Sequence, residues 1–194
     1  MRLKIVQAGE PVLRQLARPL IHAEIVSPDI QRLIQDMRET MQDAPGVGLA
    51  APQVGLSIQL AIVEDRPQSV GDLTPEQLTE RERTAVPFQV IINPTITYAS
   101  EERAEFFEGC LSVEGFAAIV PRSRTVRVEF LNEKSEPCTL EASGWHARIL
   151  QHEIDHLQGN LYIDRMRPRS FATVDNLTRY WKGLSTSEVL SRLS

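Results

Sequence analysis

SGWHARILQHEIDHLQG, Ser143–Gly159, is the stretch that decides how this chain folds. Ser143 stands where an N-cap belongs and Gly159 where a helix closes, with a helical repeat between them. Taking His152 as zero at about 100° per residue, Ala147, Leu150, Ile154 and Leu157 fall between about 140° and 220°. On the same wheel His156 falls near about 40°, Glu153 near about 100°, and Arg148, Gln151 and Asp155 between about 260° and 320°. The expected helix therefore has an apolar face, a solvent-like face and a separate His/Glu face between them. A plain surface helix has no use for that third face, so this helix is expected to be buried along it.

Working outward, Ser27–Asp43 (SPDIQRLIQDMRETMQD) predicts a second helix. Ser27 is its cap and Pro28 its first residue, and Ile30, Leu33, Ile34, Met37 and Met41 form one apolar stripe. Strands are expected at Ser57–Glu64, Pro87–Pro94, Ile96–Ala99, Phe116–Val120, Thr125–Leu131 and Cys138–Ala142. Pro94 is expected to stop or border its strand. Thr125–Leu131 alternates most clearly, with Val126, Val128 and Phe130 opposed to Arg127 and Glu129. The polar run Asp65–Ala85 reads as a surface excursion with a short helix over Pro75–Arg83. Asn176–Ser194 has only a weak helical tendency. Short strands flanking two helices, without strand–helix alternation, predict an α+β fold with mostly antiparallel pairing.

The 194 residues suit one domain, 1–194, with 42% hydrophobic residues to build a core. The net charge of −5 and the lack of a basic patch argue against specific nucleic-acid readout. Two cysteines make no disulfide framework. No apolar run is long enough to span a membrane, and no secretory or transit sequence is evident. The expected compartment is the cytoplasm of a bacterium, with an organelle matrix or stroma as second choice.

His152-Glu153-Ile154-Asp155-His156 is H-E-x-x-H. Imidazoles four residues apart on a helix share one face and can hold one divalent metal, and the glutamate beside the first can reach a water next to it. Such a centre needs a third ligand. His22 lies in a polar loop and His146 near about 120°, displaced from the pair. Cys110, in FFEGCLSVEG, offers a soft thiolate. Cys138, after Pro137, has no polar neighbours and reads as structural. A metal with a carboxylate base hydrolyses amides. The spacing alone permits a small metallopeptidase that cleaves internal peptide bonds.

Three segments narrow that choice: Gly46-Val47-Gly48-Leu49-Ala50-Ala51-Pro52-Gln53, Glu108-Gly109-Cys110-Leu111-Ser112 and Gln151-His152-Glu153-Ile154-Asp155-His156. Together they resemble peptide deformylases of type 1. Gly144–Met166 and the polar insertion resemble the subtype of plant and animal organelles and some bacteria. The resemblance implies removal of the formyl group from the N-terminal formyl-methionine of nascent polypeptides. It implies Cys110, His152 and His156 as metal ligands, Glu153 as base, and the Gln53 side chain with the Leu111 backbone N–H as oxyanion donors. Fe2+ is the expected native ion, with Zn2+, Ni2+ or Co2+ able to replace it. Glu108 and Arg122 are expected to pair beneath the metal. Gly46 and Gly48 would let an extended peptide approach. Val47, Trp145 and Ile149 are the expected wall of a pocket for the methionine side chain. The expected partners are formylmethionyl nascent chains and, transiently, the ribosome.

Overall fold

The computed structural model describes residues 1–67 and 73–193. Residues 68–72 of the polar insertion, and Ser194, lie outside the described residues. The helices are α1 (His22–Ile25), α2 (Pro28–Asp43), α3 (Pro75–Glu80), α4 (Gly144–Leu157), α5 (Val174–Tyr180) and α6 (Thr186–Leu193). The strands are β1 (Gly48–Ala50), β2 (Leu60–Asp65), β3 (Val86–Ala99), β4 (Arg103–Cys110), β5 (Val113–Ser123), β6 (Thr125–Leu131), β7 (Pro137–Ser143) and β8 (Ala172–Thr173). They form a five-stranded sheet, β1-β2-β3-β6-β7, and a three-stranded sheet, β4-β5-β8. Every pairing within them is antiparallel, so the fold is α+β as the strand pattern predicts.

Side chains alternate across a strand, so β2 serves two cores at once. Ala61 and Val63 face one way and meet Ala147, Leu150, Ile154 and Leu157 of α4. Leu60 and Ile62 face the other way and meet Ile34, Met37 and Met41 of α2. The larger sheet is thus sandwiched between the two helices. Helix α2 is capped as expected, with the Ser27 hydroxyl accepting the Ile30 N–H at 3.4 Å.

Three expectations change. Pro94 does not end its strand: β3 runs from Val86 to Ala99 through the register shift between Ile92 and Thr95. A bulge leaves residues out of the ladder, which is where a strand tolerates a proline. Strand β4 was not expected at all, although it carries Glu108 and Cys110. The third change concerns α4. Arg148 and Asp155 do not face solvent but are buried, because the three-stranded sheet packs over that side. The Arg148 guanidinium donates to Val120 O at 2.9 Å on β5 and to Ala104 O at 2.6 Å on β4. Gln151 is drawn in too, accepting from Ser123 N–H at 3.1 Å and donating to Ser123 O at 2.8 Å. Helix α4 therefore lies between two sheets, apolar toward one and polar toward the other.

The weak C-terminal tendency resolves into α5 and α6, preceded by β8, which pairs with β5 at Phe116 and Ala117. Among the described residues, no helix is long and apolar enough to cross a membrane.

Candidate functional site

Helix α4 presents His152 and His156 one turn apart, and β4 ends at Cys110 opposite them. The ligand atoms of Cys110, His152 and His156 all lie within 4.8 Å of one another. Cys110 Sγ is 3.3 Å from His156 Nε2. Cys138 sits half-buried on β7, with its sulfur near Glu136 O, away from this group. His22 is exposed on α1, and His146 meets Gln89 at 3.3 Å. Of the six His and Cys side chains, the fold thus brings together three.

Beneath them lies a buried ionic network. Arg122 grips Glu108 with both arms, Nε to Oε1 at 2.9 Å and Nη2 to Oε2 at 3.0 Å. Such a paired fork is geometrically specific and strong when buried. Arg148 donates to the same Oε1, and Arg122 also reaches Asp155, which Arg165 holds through two bonds of 2.7 Å. Glu108 Oε2 in turn lies 3.0 Å from His152 Nδ1. That contact puts the ring proton on Nδ1 and turns the Nε2 lone pair toward Cys110. Burial pushes the Glu108 carboxyl up, but Arg122 and His152 outweigh it and hold the group below the usual carboxylate range. The sequence gives no sign of Arg148, Asp155 and Arg165 as members, because a polar stripe on a helix looks the same whether it meets water or a second sheet.

Glu153 points to the other side of the His pair, against β1. A Cβ on Gly48 would overlap its carboxylate, so the glycine makes room for the acid. A Cβ on Gly46 would come to 2.9 Å from the Leu111 side chain. Among the described residues, Glu153 Oε2 and His156 Nδ1 are buried with no hydrogen-bond partner. Burial raises the Glu153 carboxyl to about 7.

Gln53 closes the group from above. Its Oε1 accepts the Ala50 N–H at 2.8 Å, which aims its NH2 at Cys110 Sγ and Ser112 Oγ, both at 3.4 Å. Segment 6–8 braces this region. Val6 N–H donates to Gln53 O at 2.9 Å, Gln7 Nε2 to Leu111 O at 3.0 Å, and Ala8 N–H to Ser112 O at 2.8 Å. The Leu111 and Ser112 carbonyls are thereby fixed by this segment. Gln7 and Ser112 carry no functional signal in the sequence, although Ser112 closes the Glu108–Ser112 segment.

Cys110, His152, Glu153, Gln53 and Gln7 line one cleft of about 810 Å³. Val47, Trp145 and Ile149 are on its wall, as are Gly46, Gly48, Glu108 and Leu111. Two edge strands border it. Strand β1 is the outer strand of one sheet and β4 of the other, and both contribute backbone to the lining. The donor set suits a divalent transition ion: one thiolate, two imidazoles, a carboxylate fixing one ring, and a buried unpartnered carboxylate oxygen beside them.

The family model for polypeptide deformylase matches residues 2–172. The chain is 47% identical over 174 residues to peptide deformylase 1A, chloroplastic/mitochondrial, of Arabidopsis thaliana, covering 90% of this chain and 65% of that protein. It therefore spans just under two thirds of the length of that plant relative. It is 45% identical to peptide deformylase 1 of Bifidobacterium longum, covering 92% of this chain and 79% of that one. The Met-Ala-Ser-bound class I type b peptide deformylase of Acinetobacter baumannii superposes with a TM-score of 0.77 at 34% identity, covering 86% of this chain and 99% of that one.

Proposed function

The chain belongs to the polypeptide deformylase family, and from that premise we propose that it hydrolyses the N-formyl group of formyl-methionyl nascent polypeptides, releasing formate. Residues 1–194 act as one catalytic unit in this reading. The observation that carries it is the convergence of Cys110, His152, His156, the buried Glu153 carboxylate and the fixed Gln53 amide at one cleft.

Cys110, His152 and His156 would hold the metal, with Fe2+ as the proposed native ion and Zn2+, Ni2+ or Co2+ as replacements. A divalent ion there supplies Lewis acidity, activating water near neutral pH and polarising a carbonyl. The chain's own residues do the rest. Glu153 takes the proton from the attacking water and returns it to the departing amine. Its burial suits both duties, since a carboxyl that titrates near neutrality can accept and release a proton. The Gln53 NH2 and the Leu111 N–H donate to the oxygen that becomes negative as the formyl carbon turns tetrahedral. Glu108 keeps the His152 ring in one tautomer, and Arg122 and Arg148 keep Glu108 in place. The side chain of the first substrate residue enters between Val47, Trp145 and Ile149. An extended peptide then runs between the β1 edge at Gly46–Gly48 and the β4 edge, using backbone hydrogen bonds that accept any sequence. The proposed setting is a bacterial cytoplasm, or an organelle matrix or stroma, with the ribosome as a transient neighbour.

Formate release from formyl-Met tripeptides by metal-replete protein tests the reaction. Replacing the first residue by Ala is expected to cost roughly 2 kcal/mol of transition-state binding, since burying a side chain of that size is worth about 1.5–3 kcal/mol. Cleavage of internal peptide bonds without formate release would replace this function by that of a metallopeptidase.

A further inference from the structure

After α3 the polar excursion turns back toward the cleft at Arg81-Glu82-Arg83. The Arg83 guanidinium grips Asp65, the last residue of β2, with both arms, Nε to Oδ2 at 2.7 Å and Nη2 to Oδ1 at 3.0 Å. The pair is buried, with 9% of the Arg83 side chain and 1% of the Asp65 side chain exposed. A fork held by two bonds has one orientation. Its Cζ lies 5.0 Å from the centroid of the Trp145 ring, within the range at which a cation is drawn to an aromatic face. Arg83 also lines the cleft together with Trp145 and Ile149.

The indole has no polar anchor. Among the described residues, Trp145 Nε1 is buried with no hydrogen-bond partner, so packing alone sets the angle of the ring. Phe106 of β4 lies 6.4 Å away between centroids, Arg148 has its Cζ at 5.8 Å, and Arg83 is the contact from the excursion. The backbone of the turn is fitted to this place. A Cβ on Gly144, the first residue of α4, would overlap Glu82 Cβ and lie 2.9 Å from Arg81 O. Glu82 has a φ of +48°, a left-handed conformation that a non-glycine residue keeps only where its surroundings over-determine it. Here Arg124 holds the Glu82 carboxylate, and the Gly144 N–H donates to Arg124 O at 2.8 Å. The turn and the head of α4 are thus one unit, a fit that a merely solvated loop does not need.

We infer that Arg83, gripped by Asp65, is a positioning residue: it fixes the Trp145 indole as a wall of the first-residue pocket and so sharpens the choice of methionine over smaller side chains. This inference rests on the deformylase reading. Arg83 acts through the ring. Its charge is neutralised by Asp65, so it can border an apolar pocket. Arginine suits the task and lysine does not, because only the planar guanidinium binds both carboxylate oxygens and stacks on an aromatic face at once.

The test compares the parent protein with Arg83→Lys, which keeps a cation for Asp65 but loses the fork. A second variant, Asp65→Asn with Arg83→Gln, removes the pair without leaving a buried charge alone. All are made in a Trp181→Phe background, so that Trp145 is the single indole. Formyl-Met-Ala-Ser and formyl-Ala-Ala-Ser are read for kcat and KM of formate release, and their unformylated counterparts for Kd by equilibrium dialysis. The Met-to-Ala preference in kcat/KM is expected to fall about three- to tenfold in both variants, the range of a lost cation–ring contact. The loss is expected in KM for the Met peptide rather than in kcat, since the pocket is filled before and during the chemistry. The near-UV circular dichroism of Trp145 is expected to weaken as the ring loosens, at unchanged metal content. An unchanged preference in both variants overturns the inference. So does an equal loss for both peptides with a lower denaturant midpoint, which is what a purely structural ion pair gives. Absence of formate from the parent overturns the reaction instead. A Met-to-Ala ratio in Kd that still falls in the variants then leaves the role of Arg83 standing, and a ratio that does not fall overturns it as well.

Discussion

Gly48 and Glu153 form a pair in which one residue is defined by the other: the glycine has no side chain because the acid occupies that space. If Glu153 is the base, Glu153→Gln keeps the shape of the pair and removes the proton acceptor. The expected result is normal metal content with formate release lowered by 10²–10⁴-fold, the usual worth of a general acid–base group. Near-normal turnover by a metal-loaded variant would take the role from Glu153. Cys110 and Cys138 are the second contrast at this scale. Both are free thiols, but only Cys110 stands with two imidazoles. Elemental analysis after desalting is expected to show lost metal in Cys110→Ala and retained metal in Cys138→Ala. Equal loss from both would remove the distinction between the two thiols. The ion found in anaerobically purified wild-type protein also identifies the native metal.

Helix α4 is held by opposite chemistry on its two sides. The apolar contact with the larger sheet is tolerant, whereas the ionic contact with the smaller sheet is not. Arg122→Met strips two buried carboxylates, Glu108 and Asp155, of a cation. Removing one partner of a buried ion pair costs about 3–5 kcal/mol, so the variant is expected to unfold at distinctly lower denaturant. A midpoint within error of wild type would mean that Arg148 and Arg165 carry the network alone. The elements were legible wherever one local pattern decided them. Ser27 and Pro28 announce α2, and the alternation of Thr125–Leu131 gives β6 with both ends in place. Strand β4 was hidden because Phe106 and Phe107 stand side by side, and Gly109 with Cys110 ends the run, so no alternation survives. The His/Glu face of α4 was legible because nothing else explains it. Its Arg148–Asp155 side was not, since the partner that buries it lies about forty residues away in sequence.

Over the whole molecule, the acid limb of stability should trace to the Glu108 network. Glu108 titrates below its ordinary value in the folded protein. A group whose folded value is depressed contributes stability above its unfolded value, about 4.3, and loses that contribution as pH falls toward the folded one. The wild type is expected to lose stability between about pH 5 and pH 2 more steeply than Glu108→Gln, which has no such proton to take up. Parallel slopes in the two proteins, measured by denaturant unfolding across that range, would assign acid lability to other groups.

The distance in sequence between Cys110 and the histidines of α4 bears on how the protein matures. Two imidazoles one turn apart come into line as soon as α4 coils, within about a microsecond for a helix of this size. The thiol reaches them only after β4 has paired with β5 and the smaller sheet has docked on the helix. Contacts of such separation are slow to form. If these three side chains hold the ion as proposed, an early chain would offer it two nitrogen donors, and the three-donor set would exist only once the sheets have closed. Metal uptake would then be a clock for folding, with tight capture expected only at the end of assembly.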